Sequence, residues 1–436
     1  MDKLVIEGGH PLEGSVQVCG SKNAVLPILC ASLLTSEKVR ITNAPKLSDV
    51  ATMLKVLADL DCATERNADG SVEIRAPAKP ECRAGWENVR KMRGSVTVMG
   101  PLLARTGRAE VSLPGGCVFG VRPIDLHLKG LQALGARIKV EHGFVIAEAP
   151  RGGLRGGEVY LQGPMGSTVL GTANVMMAAT LAKGRTVIHG AACEPEVEDL
   201  GRVLVKMGAK ISGLGSPRVE IEGVSELGGV EHAVIPDRIE AATYVIAGAM
   251  CGGRVRVEKC IPEHLAAVLD RLWEARVPFE AGADWIETQP YHPRDPARRP
   301  RATDVTTHPH PGFPTDVQAQ WMALMTLADG ISMINEMIYP DRYMHIAELA
   351  RLGANVRRQG TMAIVQGTDR LSGAPVMASD LRASAALVLA GLVAEGTTEV
   401  HRVYHIDRGY ERIEERLQNL GAVITRVDEK EPVEAN

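Results

Sequence analysis

The sequence has 436 residues, which is enough for two or three domains that each bury a core. Its formal net charge of −4 excludes the strongly basic surface that general nucleic-acid binding requires. No apolar run is as long as a membrane-spanning helix, and the first residues lack the apolar stretch of a signal peptide. The eight cysteines form no Cys-x-x-Cys pair, which is typical of a reduced thiol protein. We therefore expect a cytoplasmic protein with no membrane span and no nucleic-acid partner.

One phrase recurs along the chain. A stretch with helical spacing ends in Leu-x-x-(Leu/Met)-Gly-Ala and leads into an apolar strand, with four close copies and two looser ones. The glycine of this phrase, or the residue in its place, falls at positions 61, 135, 208, 276, 353 and 421. The regular spacing predicts six units of about 73 residues each.

Each unit also contains an Ala-rich segment with few charges, which is followed by a turn and a strand. A helix that is apolar all round is buried on all sides. We expect each unit to run strand, buried helix, strand, amphipathic outer helix, strand, and we expect two domains because six units exceed one compact core. The predicted buried helices cover 24–34, 95–104, 172–182, 241–250, 317–328 and 383–394.

Polar residues precede or open these helices. A cation at the positive end of a helix is disfavoured unless an anion lies beside it, so the set predicts a highly charged anionic ligand. Thr315 and Ser379 are interpreted as N-caps of the helices that begin at Asp316 and Asp380. The residues at the helix starts are Lys22, Asn23, Arg93, Ser167, Thr168, Asp237, Arg238, Asp316, Asp380 and Arg382.

The segment 114–123 holds three glycines around Cys117, with Arg122 five residues further on. A thiol in an exposed loop near an arginine is a candidate reactive group, although a buried structural cysteine is the alternative. Asp316 is a candidate general base, and its alternative is a helix N-terminal charge. His292, His308 and His310 lie in a Pro-rich stretch without carboxylates at ligand spacing, so we expect no metal site.

Six long motifs identify a resemblance that runs nearly end to end. They lie at 20–29, 114–136, 310–320, 341–349, 377–391 and 404–414, and include GSKNAVLPIL, PGGCVFGVRP and YHIDRGYERIE. The chain resembles the UDP-N-acetylglucosamine 1-carboxyvinyltransferases, which belong to the enolpyruvyl transferase family. The resemblance implies an α/β fold, an inside-out α/β barrel with two domains of three βαβαββ-type units. It places one domain at 22–235, the other at 1–21 plus 236–436, and the active site in the cleft between them.

The resemblance also implies the reaction. The enolpyruvyl group of phosphoenolpyruvate moves to the 3′-hydroxyl of UDP-N-acetylglucosamine with release of phosphate, through a tetrahedral intermediate. This is the first committed step of peptidoglycan synthesis, and it needs no metal or organic cofactor. The implied partners are therefore two small-molecule substrates, and the loop cysteine is the expected target of fosfomycin.

Motif by motif, the resemblance assigns roles to residues of this chain. Cys117 would be the proton donor and Asp316 the base. The phosphoenolpyruvate set would be Lys22, Asn23, Arg122, Arg342, Asp380, Arg382 and Arg408, with Lys22 and Arg408 also counted as catalytic. The nucleotide-sugar set would be Arg93, Arg122, Pro123, Ile124, Asp125, Leu126, Ser167, Thr168, Val169, Asp316 and Ile338.

One region departs from the family pattern, and three alternatives stay open. The turn at 163–175 is about three residues longer than the common form, which leaves its backbone course undetermined. A 5-enolpyruvylshikimate-3-phosphate synthase would share the fold but lack the loop cysteine. A non-catalytic paralogue that binds UDP-N-acetylglucosamine would have lost catalytic residues, and a redox protein would need a resolving cysteine near Cys117.

Overall fold

A computed structural model of the protein describes residues 2–113, 124–291, 295 and 298–428. The chain divides into two compact units, Gly20–Ile235 and the combination of Met1–Cys19 with Pro236–Asn436. Each has its own aliphatic core. None of the described helices has both the length and the apolar character that a membrane-spanning helix needs.

The helices of the described chain include six that correspond to the predicted buried segments. Short 3-10 helices lie at Ser32–Leu34, Arg93–Val98, Pro262–Leu265, Thr315–Val317 and Val403–Arg408. The α-helices are α1 (Lys22–Ala31), α2 (Ser48–Asp59), α3 (Trp86–Val89), α4 (Met99–Thr106), α5 (Asp125–Ala133), α6 (Val169–Thr180), α7 (Pro195–Lys206), α8 (Arg238–Cys251), α9 (Ala266–Glu274), α10 (Gln318–Met325), α11 (His345–Arg351), α12 (Leu381–Val393) and α13 (Ile413–Gln418).

The strands are short and evenly distributed over both units. They are β1 (Asp2–Glu7), β2 (Gly14–Gln17), β3 (Val39–Thr42), β4 (Ala63–Arg66), β5 (Val72–Arg75), β6 (Arg83–Ala84), β7 (Arg108–Ser112), β8 (Arg137–Glu141), β9 (Phe144–Glu148), β10 (Glu158–Tyr160), β11 (Gln162–Gly163), β12 (Gly166–Ser167), β13 (Arg185–His189), β14 (Lys210–Ser212), β15 (Arg218–Glu222), β16 (Val230–Ala233), β17 (Val255–Glu258), β18 (Phe279–Ala281), β19 (Trp285–Thr288), β20 (Val305–Thr306), β21 (Ile331–Asn335), β22 (Asn355–Gln359), β23 (Met362–Gln366), β24 (Pro375–Met377), β25 (Thr397–His401) and β26 (Val423–Asp428).

The sixfold repeat is confirmed by the sheets. The described residues form six four-stranded sheets, three in each unit, and one two-stranded ribbon, β11–β12. Within Gly20–Ile235 the strand orders are β16-β3-β5-β4, β6-β7-β9-β8 and β10-β13-β15-β14. The other unit has β18-β19-β17-β2, β20-β21-β23-β22 and β24-β25-β1-β26. Every sheet combines one parallel pair at an edge with two antiparallel pairs, so the units share one topology.

The sequence pattern by itself predicted three strands in each unit, and that count is too low. A hairpin follows five of the six outer helices, as β4 and β5 follow α2. The sixth, α13, is followed by β26, which pairs with β1 from the start of the chain. The two strands of such a hairpin are short. Each alternates polar and apolar residues over too few positions for the sequence pattern to distinguish two strands from one. The βαβαββ unit implied by the resemblance does contain this final strand pair.

The recurring phrase marks a left-handed turn in all six units. Residues 61, 135, 208, 276, 353 and 421 have φ of 64°, 91°, 108°, 59°, 91° and 93°. Four of the six positions carry glycine, which adopts this conformation without steric strain. Asp61 and Arg276 occupy the same turn with a side chain, so these two units retain the geometry without the favoured residue.

The buried helices form the centre of each unit. Twelve of the thirteen residues of α12 are buried, and α8, α10 and α12 pack on one another and on their own sheets. In the other unit α6 packs on α1 and α4. Helices without a polar face are stable here because neighbouring helices and sheets cover them.

The left-handed turns provide a test of the repeat. Arg276→Gly should raise the free energy of unfolding by about 1 kcal/mol, because it relieves the strain of an L-residue at positive φ. Urea unfolding followed by circular dichroism measures the change. The control Arg271→Gly, inside α9, should lower the stability by about 1 kcal/mol. Equal losses in both variants would show that position 276 is not a strained turn.

Candidate active site

The charged residues predicted at helix starts do lie at the first turns of buried helices. Lys22 and Arg238 open α1 and α8, Arg93 opens the 3-10 helix before α4, and Arg382 is the second residue of α12. The interpretation of Thr315 and Ser379 as N-caps is wrong. Asp380 itself caps α12, because its Oδ1 accepts hydrogen bonds from the backbone N–H groups of Arg382 and Ala383 at 2.7 and 3.2 Å.

Asp316 lies between two buried arginines. Its Oδ1 accepts from Arg342 Nη1 at 2.7 Å, and its Oδ2 lies 3.5 Å from Arg382 Nη2. Arg342 and Arg382 are only 4% and 1% exposed, whereas the Asp316 side chain is 25% exposed. The structure therefore brings Asp316, Arg342, Asp380 and Arg382 together at the starts of α10 and α12, with Asp316 as the member that solvent reaches.

Both arginines stay cationic despite their burial. Desolvation alone would lower the pKa of Arg342, but the charges of Asp316 and Asp380 outweigh it, and the net pKa shift is upward. Desolvation also opposes the charge of Arg382. The interactions with Tyr410 and then with Asp316 outweigh it, so the pKa of Arg382 is raised overall. Two fixed cations with one accessible carboxylate form a site that can hold an anion and accept a proton.

Arg408 ends the 3-10 helix Val403–Arg408, and a neighbouring clamp fixes this turn. Arg426 donates two hydrogen bonds to Asp407, at 2.7 and 3.0 Å. It donates two more to Glu414, at 2.7 and 3.1 Å. The paired geometry joins β26, the turn and α13, and so fixes the backbone that presents Arg408.

In the unit Gly20–Ile235, Lys22 forms a buried ion pair with Asp49, with Nζ and Oδ2 3.0 Å apart. Ser21 caps α1, since its hydroxyl oxygen accepts from the N–H of Ala24 at 3.3 Å. Asn23 is half-buried beside Lys22. Asp49 was not among the predicted residues, because no motif distinguishes it from an ordinary acid in the first turn of α2.

Asn174 fixes the helix that begins at Arg93. Its Oδ1 accepts from the N–H of Gly100 at 2.7 Å and its Nδ2 donates to the carbonyl of Val96 at 3.0 Å. The amide thus occupies the gap between two groups that an α-helix would join directly. Gly100 is required here, because a Cβ would lie 2.2 Å from the backbone oxygen of Asn174.

The same amide sets the protonation of His127. Because Oδ1 accepts from Gly100, Nδ2 faces the ring, and it lies 2.9 Å from His127 Nδ1. The Nδ1 atom is therefore an acceptor without a proton. Burial, and then the positive charge of Arg93, lower the pKa of His127 to about 3.

The lengthened segment 163–175 has a defined course. Gln162–Gly163 pairs with Gly166–Ser167 in a two-residue hairpin. Thr168 then caps α6, accepting from the N–H of Gly171 at 3.2 Å, and Val169 begins the helix. A Cβ on Gly163 would lie 3.3 Å from Leu126 Cδ1. The hairpin therefore packs beside the start of α5, where Ile124, Asp125 and Leu126 lie.

Three predicted residues, Cys117, Arg122 and Pro123, lie outside the described residues, as does His292. Ile338 follows β21, and its N–H donates to Glu336 Oε1 at 2.9 Å. Glu336 and Asn174 are site-supporting residues that the sequence did not indicate. The only signal for Asn174 was an amide within an otherwise apolar helix. Within the described ranges, no group of three or more His, Cys, Asp or Glu side chains is arranged to hold a metal ion.

Comparison with known proteins gives the family. Residues 6–417 match the family EPSP synthase (3-phosphoshikimate 1-carboxyvinyltransferase). The UDP-N-acetylglucosamine 1-carboxyvinyltransferase of Anaeromyxobacter sp. (strain Fw109-5) is 54% identical, covering 98% of this chain and 99% of that protein. The enzyme of the same name from Coxiella burnetii (strain Dugway 5J108-111) is 50% identical over 98% of this chain and 96% of its own.

Solved structures agree with the sequence comparison. The enolpyruvyl transferase NikO from Streptomyces tendae matches with a TM-score of 0.87 and 26% identity, covering 98% of this chain and 99% of NikO. EPSP synthase from Acinetobacter baumannii matches with a TM-score of 0.73 at 17% identity, over 98% of this chain and all of the other, and so shares the fold. The chain belongs to the enolpyruvyl transferases of the EPSP synthase family, and among them to the UDP-N-acetylglucosamine 1-carboxyvinyltransferases.

The neutral state of His127 makes a prediction for pH dependence. Its folded-state pKa lies below the ordinary value of 6.5, so the unfolded chain binds the proton first and stability falls as the pH drops below 6.5. Between pH 8 and pH 5 the wild type should lose about 2 kcal/mol more than His127→Gln, which accepts the same hydrogen bond without titrating. Urea unfolding at each pH measures this difference, and equal losses in both proteins would contradict it.

Proposed function

We propose that the protein transfers the enolpyruvyl group of phosphoenolpyruvate to the 3′-hydroxyl of UDP-N-acetylglucosamine and releases phosphate. The single observation that carries this proposal is the accessible carboxylate of Asp316 between the buried cations Arg342 and Arg382. The relatives at 54% and 50% identity carry the name of this activity. The reduced-thiol composition supports a cytoplasmic location, and the resemblance supports a role in the first committed step of peptidoglycan synthesis and uptake of fosfomycin at Cys117.

The chemistry is an addition followed by an elimination. The sugar 3′-oxygen bonds to C2 of phosphoenolpyruvate while C3 gains a proton, which gives a tetrahedral carbon. The C2–O bond to phosphate then breaks, and C3 loses a proton to restore the double bond. The first step therefore needs an acid at C3, a base at the 3′-hydroxyl and cations around the phosphate and carboxylate.

Residues of this chain are available for each of these tasks. Cys117 would donate the proton to C3 and Asp316 would take the proton of the 3′-hydroxyl. We assign the phosphate of phosphoenolpyruvate to Lys22, Arg122 and Arg408, its carboxylate to Arg342 and Arg382, and the surroundings of the reacting carbon to Asn23 and Asp380. We assign the nucleotide sugar to Arg93, Arg122, Pro123, Ile124, Asp125, Leu126, Ser167, Thr168, Val169 and Ile338.

Arg342 and Arg382 hold the Asp316 carboxylate in one orientation, because a guanidinium group lies against each of its two oxygens. The Asp316 side chain is still 25% exposed, which leaves it accessible to a substrate hydroxyl. This fixed orientation and this accessibility are what a general base at the 3′-hydroxyl requires.

The second candidate is the reaction named by the family description, on 3-phosphoshikimate. Phosphate release from phosphoenolpyruvate distinguishes the two. We expect release with UDP-N-acetylglucosamine and none with shikimate-3-phosphate. Release with shikimate-3-phosphate alone would overturn the proposal, and binding of the nucleotide sugar without release would identify a non-catalytic paralogue.

Two variants complete this experiment. Asp316→Asn should lower kcat by a factor of about 100 to 10,000, the usual contribution of a general base. Asp369→Asn is the matched control, since that carboxylate is 91% exposed and pairs with Arg299. Equal activity in the two variants would remove Asp316 from the base role.

A further inference from the structure

A buried carboxylate to which the resemblance gives no role connects two predicted substrate-contacting segments. Glu336 is fully buried immediately after β21. Its Oε1 accepts from the hydroxyl of Thr307 at 2.8 Å and from the N–H groups of Ile338 and Tyr339, both at 2.9 Å. Its Oε2 accepts from the hydroxyl of Thr315 at 2.9 Å.

These hydrogen bonds join one side chain to Thr315 and to the backbone of Ile338. Thr315 is the residue before Asp316, and its oxygen also accepts from Arg342 Nη1 at 3.1 Å. Arg342 therefore donates to Thr315, and Thr315 donates to Glu336. A carboxylate can only accept hydrogen bonds, so its charge fixes the direction of this relay.

The Oε1 atom of Glu336 holds the turn after β21. Two successive backbone N–H groups converge on Oε1, which sets the position of Ile338 without using the Ile338 side chain. The hydroxyl of Thr307, which follows β20, joins the same atom. One buried charge thus couples the turn that carries Asp316 to the turn that carries Ile338.

We propose that Glu336 is a positioning residue that orients Asp316 through Thr315 and holds the Ile338 turn against the nucleotide sugar. This inference rests on the proposed function. A purely structural carboxylate would affect only the stability of the fold. A positioning residue also changes the kinetics of the folded enzyme, and its two oxygens affect different kinetic constants.

The test uses three variants of the full chain in the phosphate-release assay. Glu336→Gln keeps the shape but replaces one oxygen by a donor. Three donors converge on Oε1, so the amide oxygen takes that position and the NH2 group faces Thr315. The NH2 group then donates to the Thr315 oxygen, which reverses the original hydrogen bond. The Thr315 hydroxyl is left between two donors, this amide and Arg342.

We expect Glu336→Gln to lower kcat at least tenfold and to raise KM for UDP-N-acetylglucosamine about fivefold. Thr315→Val removes the two hydrogen bonds of this hydroxyl, to Glu336 and from Arg342, and leaves those on Oε1 in place. It should reproduce the loss in kcat but leave that KM within a factor of about two. Thr315→Ser keeps the hydroxyl and should restore kcat to near the wild-type value.

Thr288→Val is the matched control for loss of a buried hydroxyl. Thr288 is fully buried and its Oγ1 hydrogen-bonds the backbone of Val255 and Gly253, remote in sequence from the Asp316 turn. This variant should lower the unfolding temperature without changing kcat or KM. Circular dichroism of every variant verifies that the assayed protein is folded.

Each outcome is decisive. The split between kcat and KM in Thr315→Val, with rescue by Thr315→Ser, supports the inference. Wild-type kinetics in folded Glu336→Gln, or an equal rise in KM in Thr315→Val, overturns it while the proposed function stands. A wild-type enzyme that releases no phosphate overturns the proposed function, and this inference with it.

Discussion

The six central helices have no polar face, and the rest of the structure depends on this constraint. Such a helix is stable only when other helices and a sheet cover its whole circumference. In the unit that contains both chain ends, α8, α10 and α12 are covered in this way. They pack on one another, and each also packs on a strand: α8 on β17, α10 on β21 and α12 on β1. The charged residues of these helices then lie in their first or last turns, which are the places where chemistry can occur.

The helix ends carry more charge than capping requires. Asp237 and Asp380 satisfy backbone donors of α8 and α12. Arg238 follows Asp237 directly, Arg382 is two residues after Asp380, and both arginines are themselves buried. Burial of the two guanidinium groups is tolerated because neighbouring groups stabilise the charge and raise the pKa. These groups are Asp316 and Asp380 beside Arg342, and Tyr410 and then Asp316 beside Arg382. The protein therefore maintains fixed cations beside one accessible carboxylate, an arrangement suited to an anionic substrate that loses a proton nearby.

Much of the fold could be predicted from the sequence because the repeat marks the backbone twice in each unit. The phrase that ends in Leu-Gly-Ala located all six left-handed turns, even where Asp61 and Arg276 replace glycine. The supporting residues could not be predicted. Glu336 and Asn174 act through hydrogen bonds to segments distant in sequence, and neither the residue type nor its spacing indicates those partners. The cap at Thr315 was misassigned for a similar reason. Its oxygen accepts from Arg342 and its hydroxyl donates to Glu336, whereas an N-cap oxygen accepts from a backbone N–H of the helix.

The proposed transfer adds a proton to C3 of phosphoenolpyruvate and later removes one. The most direct measurement is the deuterium content of the product's vinyl group after reaction with UDP-N-acetylglucosamine in heavy water, read by mass spectrometry and proton NMR. Addition and elimination predict deuterium at C3 of the enolpyruvyl group, because the intermediate methyl group contains a solvent deuteron and loses any one of its three hydrogens. A product that forms with no deuterium at C3 would contradict the mechanism and the roles assigned to the acid and the base.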